Sequence, residues 1–507
     1  MKKQISAFLA ALMLASALTA CASDPAQSGS DTTPAVSGET EPAVTEPVET
    51  GREDAKDNLP ADLKFNGETI NVIYRGEDYY QKWDMVGTDN TGEIIQDAIW
   101  ERNRNVETRL NIIFNFQRTA KSSLNDVKTE LSALVLAGSD EFDIISSTAN
   151  TTVQASLYPY LYELSDLKYV DITQPWWRTS GIKELSFDGE NFRFLMGDHT
   201  LNDYLKCGVM YYNKDMYTDV TQKDGDELYQ DVLDGTWTWD DVITLTTKAY
   251  ADLNGDGTAN AGDRFGLMIP QNYTEATVHM LYACDPIDAK RTPDGIDLST
   301  INNEKNISIV DLLIKVTHNP TGVYVSDKNI DKSPEYFAQN RALLWTGRLT
   351  NATAATMREM ESDYGILPMP KYNEEQEEYI TLIHTSSTVT CLPKTIKANR
   401  IDTVDAVLEA WASEAYRTVI TPFIETALKM KYSRDAKSAQ VIDIIFDDPM
   451  ISFTDMYSSQ VNSIISNALL KGITNGENTF ASAIAERLPT GQTKLNDYLA
   501  ELKKSEG

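Results

Sequence analysis

Cysteine is scarce in this chain: Cys21, Cys207, Cys284 and Cys391 are the only four among 507 residues. Their spacing matches neither a disulfide framework nor a zinc site. If Cys21 is modified, three remain, and they read as small buried side chains. Histidine is equally sparse, and His199, His279, His318 and His384 are too scattered to form a His-Glu-x-x-His metalloprotease helix. There is no Gly-x-Ser-x-Gly elbow, no internal repeat and no basic patch. Acidic residues number 76 against 45 Lys and Arg, for a formal charge of −31. Such a surface repels nucleic acid and anionic lipid heads, so a nucleic-acid partner is excluded. Beyond residue 20 no apolar run approaches the roughly 20 residues a membrane-spanning helix needs.

One short apolar stretch does occur. Lys2 and Lys3 precede Ile5–Ala17, and Leu18-Thr19-Ala20-Cys21 closes it. A basic start, a short apolar middle and small residues at the end describe a secretory signal peptide over 1–20. Leu18 to Cys21 resembles the bacterial lipobox, in which cleavage exposes the cysteine and its sulfur takes a diacylglyceryl group. An ordinary cleaved signal with an incidental cysteine is the plainer alternative. The lipobox predicts Cys21 as a lipid anchor and places the protein on the extracellular face of the cell membrane. Residues 21–58 are rich in Ser, Thr, Pro, Gly and acids, and have no aromatic residue, Leu or Ile between Ala22 and Asn58. They cannot bury enough apolar surface to offset the entropy of ordering, so a disordered acidic tether is expected. As a flexible coil it would reach roughly 35 Å.

The body, 59–507, is long for one core and is expected to divide. Thr69–Arg75 reads as a strand, Gly92–Leu110 as a helix with Ile94, Ile95, Ala98, Val106 and Leu110 on its apolar side, and Asn111–Gln117 as a second strand. Ser123–Ala137 is a helix closed by Gly138, and Phe142–Ser146 a third strand. This alternation predicts an α/β fold with a parallel sheet, whose ligands collect at the carboxyl ends of the strands. Phe187–Phe192 reads as a hairpin around Asp188-Gly189. Strands are expected again at Val209–Tyr212, Phe265–Ile269, Ala342–Trp345 and Tyr364–Leu367. Thr238 and Asp241 form a capping-box pair, and the chain from Ile401 onward is mainly helical. A first lobe should occupy about 65–150 plus a later return, and a second about 190–345 plus the C-terminal helices.

Several local signatures recur in a definite order. They are Glu101-Arg102-Asn103 with Val106, Phe142 to Ile145, Val209 to Asn213, Trp237 to Asp241, Asp263 to Gly266, Phe337 to Leu343, and Tyr364 to Lys371. With the lipobox and tether ahead of it, the chain resembles the family 1 extracellular solute-binding proteins, the lipoprotein receptors of ABC sugar importers. The resemblance implies a two-lobed periplasmic-binding-protein-like fold with crossover segments, a ligand held in the cleft, and an ABC permease as partner. It does not specify the ligand.

Asp252, Asn254, Asp256, Thr258, Asn260 and Asp263 carry the spacing of a calcium loop, with Gly257 at its sharp turn. Ca²⁺ is a hard cation that takes six to eight oxygens. Asp replaces the usual closing Glu at the twelfth position. A plain Asn/Asp/Gly turn that binds nothing is the alternative. The loop predicts a structural Ca²⁺.

A saccharide cleft needs flat aromatic faces beside hydrogen-bonding groups. Tyr79, Tyr80 and Trp83 follow the first strand. Trp177 lies in a Trp-rich loop, Asp198 beside His199, and Trp345 and Arg348 at the end of another strand. These are the ligand-binding candidates, each weighed against a core position, while Trp237 and Trp239 flank a helix cap and read as core. Three functions fit: a tethered receptor delivering a saccharide to an ABC importer, a lipid-anchored glycoside hydrolase, and a glycan-binding or sensor lipoprotein without transport. A hydrolase needs two facing carboxylates, which cannot be singled out among so many acids. With no catalytic motif in evidence, the non-enzymatic receptor is the expected function.

Overall fold

The computed structural model describes residues 52–506 apart from 78–80, 90, 122, 154–156, 261, 271–272, 294, 319–321, 326–331 and 425–435. The expected leader with Cys21, most of the tether, Tyr79 and Tyr80 therefore lie outside the described residues. No helix among the described residues is long and apolar enough to cross a membrane.

The strands, in chain order, are Glu68–Tyr74 (β1), Ile112–Arg118 (β2), Ile144–Thr148 (β3), Gly208–Asn213 (β4), Phe265–Ile269 (β5), Lys290–Thr292 (β6), Gly295–Asp297 (β7), Val323–Val325 (β8), Ala342–Arg348 (β9), Tyr364–Pro368 (β10) and Thr388–Cys391 (β11). They build two principal sheets, one for each lobe. The first has the order β11-β3-β1-β2; β1 runs parallel to β2 and β3, and β11 returns antiparallel. The second has the order β10-β4-β9-β5-β8, with β4 antiparallel to both its neighbours and β5 parallel to β9 and β8. β6 and β7 form a separate hairpin.

Local chemistry accounts for these elements. In helix Ile94–Leu110, Ile95, Ala98, Ile99, Arg102, Val106 and Leu110 are buried at helical spacing, whereas Ile94, expected on that face, stands 52% exposed. Asn111 ends the helix at φ +52°, a left-handed conformation asparagine tolerates. Ser123 caps helix Leu124–Leu136 by accepting from the Asp126 N–H, and Gly138 closes it at φ +69°. Thr238 and Asp241 form the expected capping box at helix Trp239–Ala249. That helix packs on β5, while helix Ile401–Ala415 packs on Ile94–Leu110 of the first lobe.

Two expectations are corrected and one strand is added. Ser186–Asn191 is a tight turn held by the Asp188 carboxylate rather than a hairpin, because the carboxylate takes the N–H groups that a paired strand would need. β11 was not apparent in the sequence, yet it completes the first sheet. Residues 52–58, assigned to the tether, dock on the body. Arg52 lies over the Tyr416 ring, and Asp57 takes both arms of Arg109 and the Ser413 hydroxyl, so its charge is matched on arrival. Cys207, Cys284 and Cys391 are free and buried.

The lobes are joined by two crossing segments, one running from β3 to β4 and the other from β10 to β11. The segments are zipped together. The His384 N–H donates to the Lys206 carbonyl (3.0 Å), Gly208 N–H to Leu382 (3.1 Å), Ala149 N–H to Ser387 (2.9 Å) and Asn150 N–H to Thr385 (2.9 Å). This seam lies where the carboxyl ends of β3 and β9 meet the starts of β11 and β4.

Candidate ligand cleft

At the end of β1, Arg75 pairs with Glu77, and the Gly76 N–H donates to Thr119 Oγ1 at 2.9 Å. A Cβ on Gly76 would sit 2.4 Å from the Thr119 carbonyl oxygen, so only glycine permits the ends of β1 and β2 to approach this closely. Trp83 follows on a single π turn, Gln81–Met85, and is half-buried.

The next residue, Asp84, is fully buried and bridges the two crossing segments. One carboxylate oxygen accepts from Thr200 and the other from Thr388 (2.6 Å). Arg102 and Asn103, part of a signature noted in the sequence, fix the same turn from the helix side. Arg102 donates to the carbonyls of Asp84 (3.2 Å), Met85 (3.1 Å) and His199 (2.7 Å), and Asn103 donates to Met85 (2.8 Å). Trp411 covers Arg102 with its ring and donates to Asn103 Oδ1. Burial raises the Asp84 carboxyl to about 7, against the bond from Thr388 and the charges of Arg102 and Lys206.

Three candidates expected at a cleft lip are buried in this structure. Trp177 is 4% exposed and donates to Glu409 Oε2 at 2.8 Å; Trp176 donates to Oε1 at 3.1 Å. Burial raises Glu409 to about 7, and the indole bonds oppose that rise. Asp198 is fully buried between Arg178 Nη2 (2.8 Å) and the Tyr204 hydroxyl (3.0 Å). Trp345 is 1% exposed and stacks on Tyr211, with ring centroids 4.8 Å apart. The physical reason is common to all three. Each is covered by side chains from other elements: Trp177 by Glu409, Asp198 by Arg178 and Tyr204, and Trp345 by Tyr211 and Phe337. The polar neighbours that suggested a lip satisfy buried groups instead.

Arg348 is half-buried at the end of β9. Its backbone N–H is capped by Asn351 Oδ1 (2.7 Å), and Nη1 reaches Ser386 Oγ at 3.5 Å. Three residues not anticipated from the sequence gather here: Lys206, His384 and Ser386. The Ser386 N–H donates to His384 Nδ1 at 3.1 Å, which leaves the imidazole hydrogen on Nε2. Asn202 Nδ2 fixes the loop by donating to the Ser386 carbonyl (2.7 Å) and to Thr388 Oγ1 (3.1 Å). Burial, then Arg348 and Lys206, hold His384 well below its ordinary range and keep it neutral. The sequence did carry a signal, the run His384-Thr385-Ser386-Ser387-Thr388, whose small hydroxyl side chains let two backbone crossings pack together.

The calcium-loop residues form a wound turn. Asp252 accepts from the N–H groups of Gly255 and Gly257, and Asp263 accepts from Leu253 and Asn260. Asn254 Nδ2 donates to Asn260 Oδ1, and Asn260 Nδ2 to Asp256 Oδ2. Thr258 offers its carbonyl, which accepts from Asn260 Nδ2. Among the described residues no three His, Cys, Asp or Glu side chains are placed to hold a metal ion. A groove of about 1000 Å³ opens elsewhere, between Tyr158, Arg193, Arg291, Lys394 and Lys503. Its arginines are committed to Glu163 and Glu184, and it lies off the seam.

No protein-family model and no curated protein matches the chain. Its fold is similar to that of UgpB from Mycobacterium tuberculosis, solved in complex with glycerophosphocholine (TM-score 0.55, 14% identity, 85% of this chain and 100% of that one). It is also similar to the maltose/maltodextrin-binding domain MalE from Bdellovibrio bacteriovorus, bound to maltotriose (TM-score 0.52, 13% identity, 85% and 100%). At these identities the likeness is one of fold. The chain has the two-lobed, periplasmic-binding-protein-like α/β architecture expected from its sequence.

Proposed function

We propose that this protein is a membrane-tethered extracellular receptor that captures an oligosaccharide in the cleft between its lobes and delivers it to an ABC importer. The observation that carries this reading is the seam. Two sheets present strand ends toward a zipped pair of crossing segments, an arrangement suited to hinge closure around a solute. Neighbours of the same fold hold glycerophosphocholine and maltotriose, the latter in a maltose/maltodextrin-binding domain, which supports capture rather than turnover. The lipid anchor at Cys21, the permease partner and a structural Ca²⁺ in the Asp252–Asp263 loop belong to the same proposal. Trp83, half-buried on the π turn that follows β1, and Arg348, half-buried at the end of β9, are the strongest contact candidates.

A thermal-shift screen of the purified protein against oligosaccharides, polyols and peptides tests it. A ligand at 100 times its Kd adds about 2.7 kcal/mol of stability, a readily detected change. Bound oligosaccharide should be recovered intact. Recovery of shortened products would transfer the protein to the hydrolase class, and stabilisation by peptides alone would remove the saccharide.

A further inference from the structure

On the edge of the seam away from Arg348, one guanidinium joins the two lobes. Arg291 sits on β6, in a hairpin fixed by Gln492, which donates to the Ile296 carbonyl (2.8 Å) and accepts from the Leu298 N–H (3.0 Å). That glutamine belongs to helix Phe480–Glu506, which packs through helix Ile464–Asn475 on helix Glu304–Thr317 of the second lobe. The other side of the contact is the end of helix Thr179–Leu185. This helix is anchored on the first lobe. The Arg178 N–H donates to Met196 (3.0 Å), Leu195 and Thr390 of β11 exchange bonds of 2.8 and 2.9 Å, and Trp177 donates to Glu409.

The contact uses every arm of the guanidinium. Arg291 Nη1 donates to Glu184 Oε2 at 2.8 Å. Nη2 donates to the carbonyls of Glu184 (2.6 Å), Ser186 (2.9 Å) and Lys183 (3.3 Å), and Nε to Ser186 at 3.2 Å. Carbonyls in the last turn of a helix lack intrahelical partners and carry the negative end of its dipole, so a cation is matched there twice over. Phe187 follows, with its ring 4.8 to 5.7 Å from those of Phe453, Tyr457 and Tyr498. The Tyr457 hydroxyl donates to the Leu185 carbonyl at 2.6 Å. Arg291 also lines the groove of about 1000 Å³, together with Tyr158 and Arg193 from the first lobe and Leu499 and Leu502 from the C-terminal helix.

The order of segments across the seam sets this contact opposite the cleft. Gly208 pairs with Arg348 at the end of β9 on one side and donates to Leu382 on the other. Leu382 pairs in turn with Met450, and the Ile383 N–H donates to the Met450 carbonyl at 2.8 Å. Beyond Met450 comes helix Thr179–Leu185. Its Ser180 hydroxyl donates to Asp448 Oδ1 at 2.6 Å, and a Cβ on Gly181 would lie 3.7 Å from the Ile451 side chain. Arg348 and the Arg291 contact therefore occupy opposite edges of the seam, as the two ends of a see-saw do.

Resting on the receptor reading above, we propose that Arg291 is a latch between the lobes that holds the cleft open. A turn about the seam that brings the lobes together at Arg348 lifts β6 from the end of helix Thr179–Leu185 and breaks the guanidinium contacts. Solute must offset that loss with contacts made only in the closed state, because a ligand shifts an equilibrium by no more than its differential affinity. The latch thus lowers affinity and keeps the empty and loaded shapes distinct.

The test measures lobe separation in the full chain carrying Cys21→Ser. Spin labels are placed at Asn125→Cys on the first lobe and Asp240→Cys on the second, both exposed positions, while Cys207, Cys284 and Cys391 are buried. Without solute, dipolar electron spin resonance should give one distance when Arg291 is intact, and Arg291→Met should add a population several ångströms shorter. Arg291→Lys, whose ammonium still meets the carbonyls, should show less of it. Glu184→Gln gives a second, milder release if Arg291→Met folds poorly. In calorimetry with maltotriose, Arg291→Met should bind about threefold more tightly or better, because a larger fraction stands ready to close. A clamp that merely stabilises the fold would lower melting temperatures and leave the distances alone. Unchanged distances in all three variants, or a longer one in Arg291→Met, would overturn the latch. A shorter distance with maltotriose bound by neither protein would uphold the latch and count against the saccharide receptor alone.

Discussion

Asp84 offers the sharpest quantitative test of how the seam is built. Its carboxyl is fully buried, ties Thr200 of one crossing segment to Thr388 at the end of the other, and is raised from its ordinary 3.8 to about 7. The sign follows from linkage. A carboxyl raised in the folded state holds its proton there after the unfolded chain has lost its own. Its favourable contribution is therefore complete below about pH 4 and is lost as pH climbs through about 7. At about 1.4 kcal/mol for each tenfold change, the loss across that window is about 4 kcal/mol. Other buried carboxyls and His199, lowered to about 3 by burial first, titrate as well, so the wild-type curve alone does not isolate Asp84. The difference between wild type and Asp84→Asn does, because the amide keeps the shape, accepts from one threonine and donates to the other. Urea unfolding of both proteins at half-unit steps from pH 4 to pH 8 should show wild type losing about 4 kcal/mol more than the variant, with no further divergence above pH 8. Parallel curves would refute the reasoning. A difference of opposite sign would mean that Arg102 and Lys206 overcome burial and Asp84 is a committed anion.

The other expectations are simpler. Cys21→Ser should abolish metabolic palmitate labelling and release the protein from tight membrane association; persistent labelling would end the lipobox assignment. Chelation should lower the melting temperature, calcium should restore it, and Asp252→Ala with Asp256→Ala should erase that response, since a metal bound only by the folded chain stabilises it; identical melting with and without chelator would leave the loop a plain turn. Trp345→Ala should cost about 3–5 kcal/mol of stability, because a ring stacked on Tyr211 leaves a cavity. Trp83→Ala, half-exposed, should weaken solute binding by about 1–3 kcal/mol with little change in unfolding, and calorimetry beside urea titration separates the two behaviours.

What could be read from the chain was set by the range of the forces involved. β1, β2, β3 and the helices between them follow from apolar periodicity and caps such as Ser123 and Thr238, which act over a few residues, and the structure places each within about two residues of its expected bounds. β5 was legible end to end because it is apolar throughout. β11 was not. Thr388–Cys391 is a short strand whose partner, β3, lies more than two hundred residues earlier, and no local pattern announces such a pairing. The cleft suffered the same blindness in another form. Trp177, Asp198 and Trp345 carry side chains suited to a sugar, but which side of a segment meets solvent is decided by distant elements. Glu409 reaches Trp177 from a helix over two hundred residues away. Arg348 was singled out because it ends a strand. Its neighbours Lys206, His384 and Ser386 come from two crossings whose antiparallel pairing is a tertiary fact.

The docking of residues 52–58 has a mechanical consequence. A load arriving along the chain from upstream meets the body at Arg52 stacked on Tyr416 and at Asp57 gripped by Arg109 and Ser413. These contacts lie on the helices Ile94–Leu110 and Ile401–Ala415 and on the short turn that continues the latter. Under the proposed membrane tethering, drag on the chain would pull in shear across two packed helices before it reached β1, whose hydrogen bonds would otherwise be the first to part. The attachment acts as a strain relief. Under the same proposal the first lobe would be the fixed arm, and a swing about the seam would be carried by the second.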